Sequence, residues 1–177
     1  NRRLERKVMC GAGALVANSG STAQRLRELY APQQQIEVIP NGVDIPDHLP
    51  DKPWRCAGRH IIYAGSLFPW KGAADLVQAA GMLPGMRISV IGGEQSRVAE
   101  LHASVDSSGA EVTFSGHLPH VQVMSSLAGA CIAVLPNRDD TDSAFTSPIK
   151  LFEYMAAGCA IVASDLPSLR EILGDAE

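Results

Sequence analysis

Short apolar runs alternate with segments of helical periodicity along most of this chain. The apolar runs, mostly of four to six residues, predict buried strands, and the segments between them predict helices. The predicted strands are ALVANS, IEVIP, HIIYAG, MRISVIGG, EVTFSG, CIAVLP and AIVAS. Since parallel sheets built in this way are covered on both faces, the pattern predicts an α/β fold with a Rossmann-like, doubly wound parallel sheet.

The segments between the strands carry the helix signals. The predicted helices cover residues 21–30, 71–83, about 96–104, about 121–127, a segment that starts at Ser147, and a last helix that starts at Ser168. The basic start of the chain, RRLERK, is interpreted as the solvated face of a helix that turns Leu4 and Val8 inward. Residues 41–59 are rich in Pro, Asp and Gly and predict a connection, such as an interdomain hinge.

Composition and charge narrow the class of protein. The chain has 177 residues, 46% of them hydrophobic, which is enough to form a core. Its net charge of −4 argues against a nucleic-acid-binding protein, so an anionic ligand needs local cations. The four cysteines form no CxxC pair, which indicates a reducing compartment. With no apolar run of the ~18 residues that a membrane span needs, we expect a cytoplasmic protein that touches at most the inner membrane face.

The segment SPIKLFEYMAAGCAIVAS, at residues 147–164, predicts an anion-binding helix start followed by a strand. Ser147 suits the N-cap and Pro148 the first helical position, so the next free N–H groups belong to Ile149 and Lys150. Together with the helix dipole, these N–H groups predict a phosphate-binding socket. Lys150 and Glu153 are three residues apart and share a helix face.

Two loops lie where a parallel sheet binds ligands. In GSLFPWKG, Gly65 permits close backbone approach, and Lys71 opens the predicted helix 71–83. Because a lysine is disfavoured at a helix start, it indicates either an anion bound there or a solvated lysine beside a packed Trp70. In NRDDTDSAFT, the carboxylates of Asp139, Asp140 and Asp142 suit either a divalent cation or, more typically, a solvated turn.

Four segments, in this order, resemble the group 1 glycosyltransferases, glycosyltransferase family 4. They are VIPNGVD, YAGSLFPWKG, VTFSGHLPH and SPIKLFEYMAAGCAIVASDLPSLREI. The resemblance implies the C-terminal half of a GT-B fold, truncated at its end. Residues 1–43 correspond to the end of the N-terminal acceptor domain and the hinge, and residues 44–177 to an incomplete nucleotide-sugar-binding domain. Such a fragment is expected to be inactive alone.

The resemblance also implies roles for individual residues. Lys71 matches the lysine that contacts the donor diphosphate, and Glu153 matches the second glutamate of the E-x7-E motif, which binds the ribose hydroxyls. The backbone of Ile149 and Lys150 would bind the diphosphate, and the loop at His117 would receive the nucleobase. The full expected donor site is Gly65, Ser66, Lys71, His117, Leu118, Ser147, Pro148, Ile149, Lys150 and Glu153.

Two positions depart from the family pattern. Ser66 stands where many members have an arginine that contacts the diphosphate. Phe145, eight residues before Glu153, takes the place of the first motif glutamate, which lies beside the donor sugar. The candidates that could shape the sugar site instead are Asp142, Ser143 and Thr146.

By this resemblance the protein is a retaining, hexosyltransferase-type glycosyltransferase. Its donor is a UDP- or GDP-linked sugar, its acceptor is a glycan or lipid, and its pathway makes cell-surface polysaccharide or glycolipid, with no cofactor or metal. The alternatives are a GT-B nucleotide-sugar epimerase or hydrolase, and a metal-dependent GT-A transferase that uses the DTD at residues 140–142. A phosphoacceptor signalling module is disfavoured, because YAGS, VIGG and AVLPN carry no aspartate.

Overall fold

The computed structural model describes residues 2–45, 59–139 and 149–174. The chain divides into two compact units. Unit 1 takes in the described parts of residues 1–42, 139–148 and 165–177, and unit 2 those of residues 43–138 and 149–164. The predicted assignment of residues 1–43 and 44–177 to an acceptor and a donor domain stays a prediction.

Unit 2 contains a five-stranded, fully parallel sheet, which confirms the predicted fold class. Its strands are β3 (His60–Ala64), β4 (Arg87–Ile91), β5 (Glu111–Gly116), β6 (Ile132–Leu135) and β7 (Ala160–Ala163). Its helices are α3 (Ala73–Ala79), α4 (Gln95–Ala103), α5 (His120–Ala128) and α6 (Ile149–Ala156). The spatial order of the strands is β5-β4-β3-β6-β7.

The central strand β3 is buried on both faces. On one face, Ile61 and Tyr63 of β3 join an apolar cluster that includes Leu76 and Val77 of α3. Because strand residues alternate between faces, Ile62 points to the opposite side, where it is fully buried. Burial on both faces explains why β3 is a nearly continuous apolar run.

The strand order creates a crevice beside the central strand. The chain runs outward from β3 through β4 to β5 and then returns to β6 on the other side of β3. The pairing of β3 with β6 covers only residues 61–62 and 132–133. In open parallel sheets, ligands bind outside the carboxyl ends of the strands at such a switch point.

The prediction of one continuous helix at residues 71–83 is wrong. Lys71 ends a 3₁₀ turn (Pro69–Lys71), α3 starts after Gly72, and a second 3₁₀ turn (Ala80–Met82) follows. Gly72 has a φ of +71°, and a Cβ atom there would lie 1.7 Å from the backbone oxygen of Pro136. The close approach of these two loops therefore requires glycine and interrupts the helix.

Unit 1 contains a small β-α-β motif with further helices. Its elements are α1 (Arg2–Gly11), β1 (Leu15–Ala17), α2 (Gly20–Tyr30), β2 (Ile36–Val38) and α7 (Pro167–Leu173). The two strands are parallel and cover a small core of Ala17, Ala23 and Ile36. The hydroxyl of Ser19 caps α2 by accepting from the amide of Thr22 at 3.1 Å.

The orientation predicted for α1 is wrong. Leu4 and Val8 are 60% and 61% exposed, and α1 buries none of its residues. A different side of the helix contacts α2, because the Tyr30 hydroxyl donates to Glu5 Oε2 and Cys10 Sγ lies 3.7 Å from the Tyr30 backbone oxygen. Within the described ranges, no helix combines the length and the apolar character needed to cross a membrane.

Candidate functional site

The described members of the predicted site lie on segments at the carboxyl ends of strands in unit 2. Gly65 and Ser66 follow β3 directly, Lys71 precedes α3, and His117 and Leu118 follow β5. Ile149, Lys150 and Glu153 lie on α6, which follows β6. Ser147 and Pro148, predicted to cap this helix, lie outside the described residues.

Lys71 is a half-buried cation held beside an aromatic ring. Its Nζ lies 4.2 Å from the centroid of the Trp70 ring, which is a cation–π contact. Burial lowers the pKa of Lys71 below its ordinary value, and the positive charge of Lys150 lowers the pKa further. A bound anion near Lys71 would offset both the burial and this repulsion.

The start of α6 adds a second source of positive potential. Ile149 and Lys150 are the first described residues of α6, and the sequence predicts that they lie in its first turn, where their N–H groups have no acceptor within the helix. The helix dipole also concentrates positive charge at this end. Two lysines and a helix N-terminus at a switch-point crevice form an arrangement suited to a diphosphate.

Glu153 is the buried carboxylate of the site. Its side chain is 7% exposed, and its Oε2 accepts from Lys150 Nζ at 2.6 Å. Its Oε1 lies 3.3 Å from His120 Nε2. The predicted pairing of Lys150 and Glu153 on one helix face is thus confirmed, and it compensates part of the cost of burying the carboxylate.

His120 was missed by the sequence prediction. It is the first residue of α5, three residues after His117, and both side chains are exposed. Nothing in their local sequence distinguishes the two histidines. The crossover from β5 back to β6 distinguishes them, because it brings the start of α5 next to α6.

Tyr154 is a second residue that the sequence prediction did not single out. Its fully buried hydroxyl accepts from the Ala64 amide at 2.9 Å and donates to the Ala64 oxygen at 3.3 Å. Burial raises the pKa of Tyr154 well above its usual range, so the phenol stays neutral. Its two bonds tie α6 to the end of β3, just before Gly65.

Tyr63 organises the loop that follows β3. Its hydroxyl donates to the Ser66 oxygen at 2.6 Å, so the contact of Ser66 that the structure records is made by its backbone. This hydrogen bond holds the first residues of the loop against the end of β3.

The acidic loop gives no metal site within the described residues. Asp139 is exposed, whereas Asp140, Asp142, Ser143, Phe145 and Thr146 lie outside the described ranges. In the part of the chain that the structure describes, no three His, Cys, Asp or Glu side chains are placed to hold a metal ion.

Comparison with known proteins gives consistent matches. The family model described as "Glycosyl transferases group 1" matches residues 58–177, and the model "Glycosyltransferase Family 4" matches residues 1–46. A D-inositol 3-phosphate glycosyltransferase of Nocardia farcinica is 26% identical over 97% of this chain and 42% of its own length. A phosphatidyl-myo-inositol mannosyltransferase of Mycolicibacterium smegmatis is 30% identical over 78% of this chain and 36% of its own length.

Solved structures share the fold. Sucrose-phosphate synthase from Thermosynechococcus elongatus superposes with a TM-score of 0.77 at 21% identity, over 96% of this chain and 45% of that protein. Anabaena HepE, solved in complex with UDP and glucose, gives a TM-score of 0.71 at 20% identity, over 96% of this chain and 49% of that protein. The chain thus spans less than half the length of these relatives and neighbours.

Proposed function

Because this chain belongs to the group 1 glycosyltransferases, we propose that it forms the donor-binding part of a retaining glycosyltransferase. The donor is a nucleotide sugar with a UDP or GDP group, and the acceptor is a glycan or a lipid. The observation that supports the proposal is that Lys71 follows β3 and Lys150 follows β6, the two strands on either side of the switch point.

Each charged group at the crevice has a proposed task. Lys71, Lys150 and the N–H groups of Ile149 and Lys150 bind the diphosphate and stabilise its charge as it leaves the sugar. Because these dipoles and charges are already in place, they need no reorganisation during the reaction. The buried carboxylate of Glu153 accepts from the ribose hydroxyls, since a carboxylate is an acceptor only.

The proposed reaction transfers the sugar with retention. The bond from the anomeric carbon to the diphosphate oxygen breaks, and the acceptor oxygen bonds to the same face of that carbon. The acceptor hydroxyl gives its proton to the departing diphosphate oxygen as the new bond forms. No cofactor or metal is proposed, because Lys71, Lys150 and the helix start supply the positive charge next to the diphosphate.

The relatives support the donor and acceptor classes. HepE has been solved with UDP and with UDP-glucose, which favours a nucleotide-sugar donor for this fold. A relative named as a phosphatidyl-myo-inositol mannosyltransferase favours a lipid acceptor and glycolipid synthesis. The proposed location is the cytoplasm, at the inner membrane face when the acceptor is a lipid.

A thermal-shift screen of this chain with UDP, GDP and ADP tests the donor site. At ~100 times its dissociation constant, a bound nucleotide stabilises the fold by roughly 2.7 kcal/mol. The matching nucleosides are the control, and they should give a smaller shift because they lack the diphosphate. Absence of any shift with all three nucleotides at millimolar concentration would overturn the proposal.

Addition of EDTA tests whether nucleotide binding depends on a metal ion, as the metal-dependent alternative requires. We expect the nucleotide shift to survive EDTA and also the double substitution Asp140→Asn with Asp142→Asn. If both treatments abolish the shift, a metal bridged by the acidic loop replaces the proposed binding mode.

A further inference from the structure

His120 contacts the proposed ribose-binding carboxylate from outside its own helix. Its Nε2 lies 3.3 Å from Glu153 Oε1, while Lys150 Nζ lies 2.6 Å from Oε2. The carboxylate is therefore held at both oxygens, by one group of α6 and by one group of α5.

The two contacts leave a defined set of acceptor positions. A carboxylate offers about four lone-pair positions on its two oxygens. Among the described residues, Lys150 takes one position on Oε2 and His120 takes one on Oε1, which leaves one position on each oxygen for a ligand. Two acceptors side by side match two vicinal hydroxyl donors.

The contact from His120 also decides the plane of the carboxylate. Rotation about the last bond of a glutamate side chain is soft and roughly two-fold, so one contact alone does not fix the carboxylate plane. With Lys150 holding Oε2, the bond to His120 is the second point that defines the plane.

The side chains of Glu153 and His120 differ strongly in exposure. The Glu153 side chain is 7% exposed, whereas the His120 side chain is 67% exposed. Replacing His120 therefore removes little buried surface, and its effect should appear in ligand recognition rather than in stability.

We propose that His120 is a positioning residue that sets the plane of the Glu153 carboxylate for the two ribose hydroxyls of the donor. The site thereby selects ribonucleotides over deoxyribonucleotides. This inference rests on the proposed function, since it takes the donor nucleotide as the ligand of the crevice.

The test compares ribo- and deoxyribonucleotide binding by calorimetry. The probe is whichever of UDP, GDP and ADP the parent chain binds most tightly, together with its 2′-deoxy counterpart. We expect the parent to prefer the ribonucleotide about tenfold or more, as for a hydrogen bond to a charged group. His120→Leu should lose most of this preference and keep the thermal midpoint of the parent.

Two further variants make the test specific. His120→Gln keeps an N–H donor near the position of Nε2 and should restore the preference. His102→Leu changes an exposed histidine in the last turn of α4, away from the proposed site, and should leave the preference unchanged. If His120→Leu keeps the parental ratio, or if His120→Gln is as impaired as His120→Leu, the positioning role is wrong. If the parent binds none of the three nucleotides, the proposed function itself is overturned.

Discussion

At the scale of single residues, the site depends on the placement of two ammonium groups and one carboxylate. Lys150 is paired with Glu153, whereas Lys71 is half-buried against Trp70 and is repelled by Lys150. Lys71 is thus the cation whose environment improves most when an anion arrives, because a phosphate offsets both its burial and the repulsion.

Substitution of Lys71 with alanine should weaken nucleoside diphosphate binding by roughly 1.5–3 kcal/mol, because one charged hydrogen bond is lost. Binding of the matching nucleoside should change little, since the proposed contact of Lys71 is with the phosphates. Calorimetry with both ligands measures the difference. Arg87→Ala is the control, because it removes one exposed positive charge from the opposite end of the strands. An equal loss of nucleotide affinity in this variant would contradict a local role for Lys71.

The lowered pKa of Lys71 also predicts a pH dependence of binding. A bound diphosphate favours the charged lysine, so the complex holds the proton more tightly than the free protein does. Nucleotide affinity should therefore be highest below the pKa that Lys71 has in the free protein. It should fall as the pH rises through that pKa toward 10.5. Calorimetry above about pH 7, where the diphosphate is fully ionised, tests this. If the affinity of Lys71→Ala falls just as steeply with pH, another group causes the pH dependence.

At the scale of elements, one buried side chain joins α6 to the central strand. The pairing of β3 with β6 stops at residues 62 and 133, and the Tyr154 hydroxyl takes both backbone polar groups of Ala64 beyond that point. The same tyrosine therefore satisfies the end of β3 and sets the distance from α6 to the loop that carries Lys71.

Tyr154→Phe should destabilise the fold by about 1–3 kcal/mol, because it leaves the buried Ala64 amide without this partner. Urea unfolding followed by circular dichroism measures the change. Tyr30→Phe is the matched control, since its hydroxyl bonds to Glu5 at the surface, and its effect should be smaller. If Tyr154→Phe unfolds at the same urea concentration as the parent, the hydroxyl does not contribute as inferred.

At the scale of the whole molecule, residues far apart in sequence complete unit 1. Glu171 of α7 accepts from the amides of Gly20 and Ser21 at the start of α2, at 2.7 and 3.1 Å. These first-turn amides have no acceptor within their own helix, and the helix dipole favours a carboxylate there. A segment near residue 170 thereby stabilises a helix that starts at residue 20.

Glu171→Ala should accelerate hydrogen exchange at the amides of Gly20 and Ser21, because the variant removes their acceptor. Exchange measured residue by residue by NMR gives the result directly. Glu28→Ala changes a carboxylate on the exposed side of α2 that accepts from Gln24 and Arg25, and it should leave both amides protected. Unchanged exchange in Glu171→Ala would show that this contact does not protect the amides.

The sequence by itself determined the features that depend on near neighbours. Apolar periodicity located the seven strands that the structure describes and predicted a parallel sheet, because burial on both faces requires apolar runs. The three-residue spacing of Lys150 and Glu153 predicted their shared helix face, because helix geometry places such pairs together. The closing segment, SPIKLFEYMAAGCAIVASDLPSLREI, was sufficient to identify the family, because its pattern is specific and contiguous in the chain.

Only the tertiary structure decided the features that depend on the path of the chain between elements. The return from β5 to β6 placed His120 beside Glu153, and the packing of α6 placed Tyr154 on Ala64. The approach of Pro136 broke the predicted helix at Gly72. Local periodicity carries no information about these contacts, because each joins residues that only the crossover connections bring together.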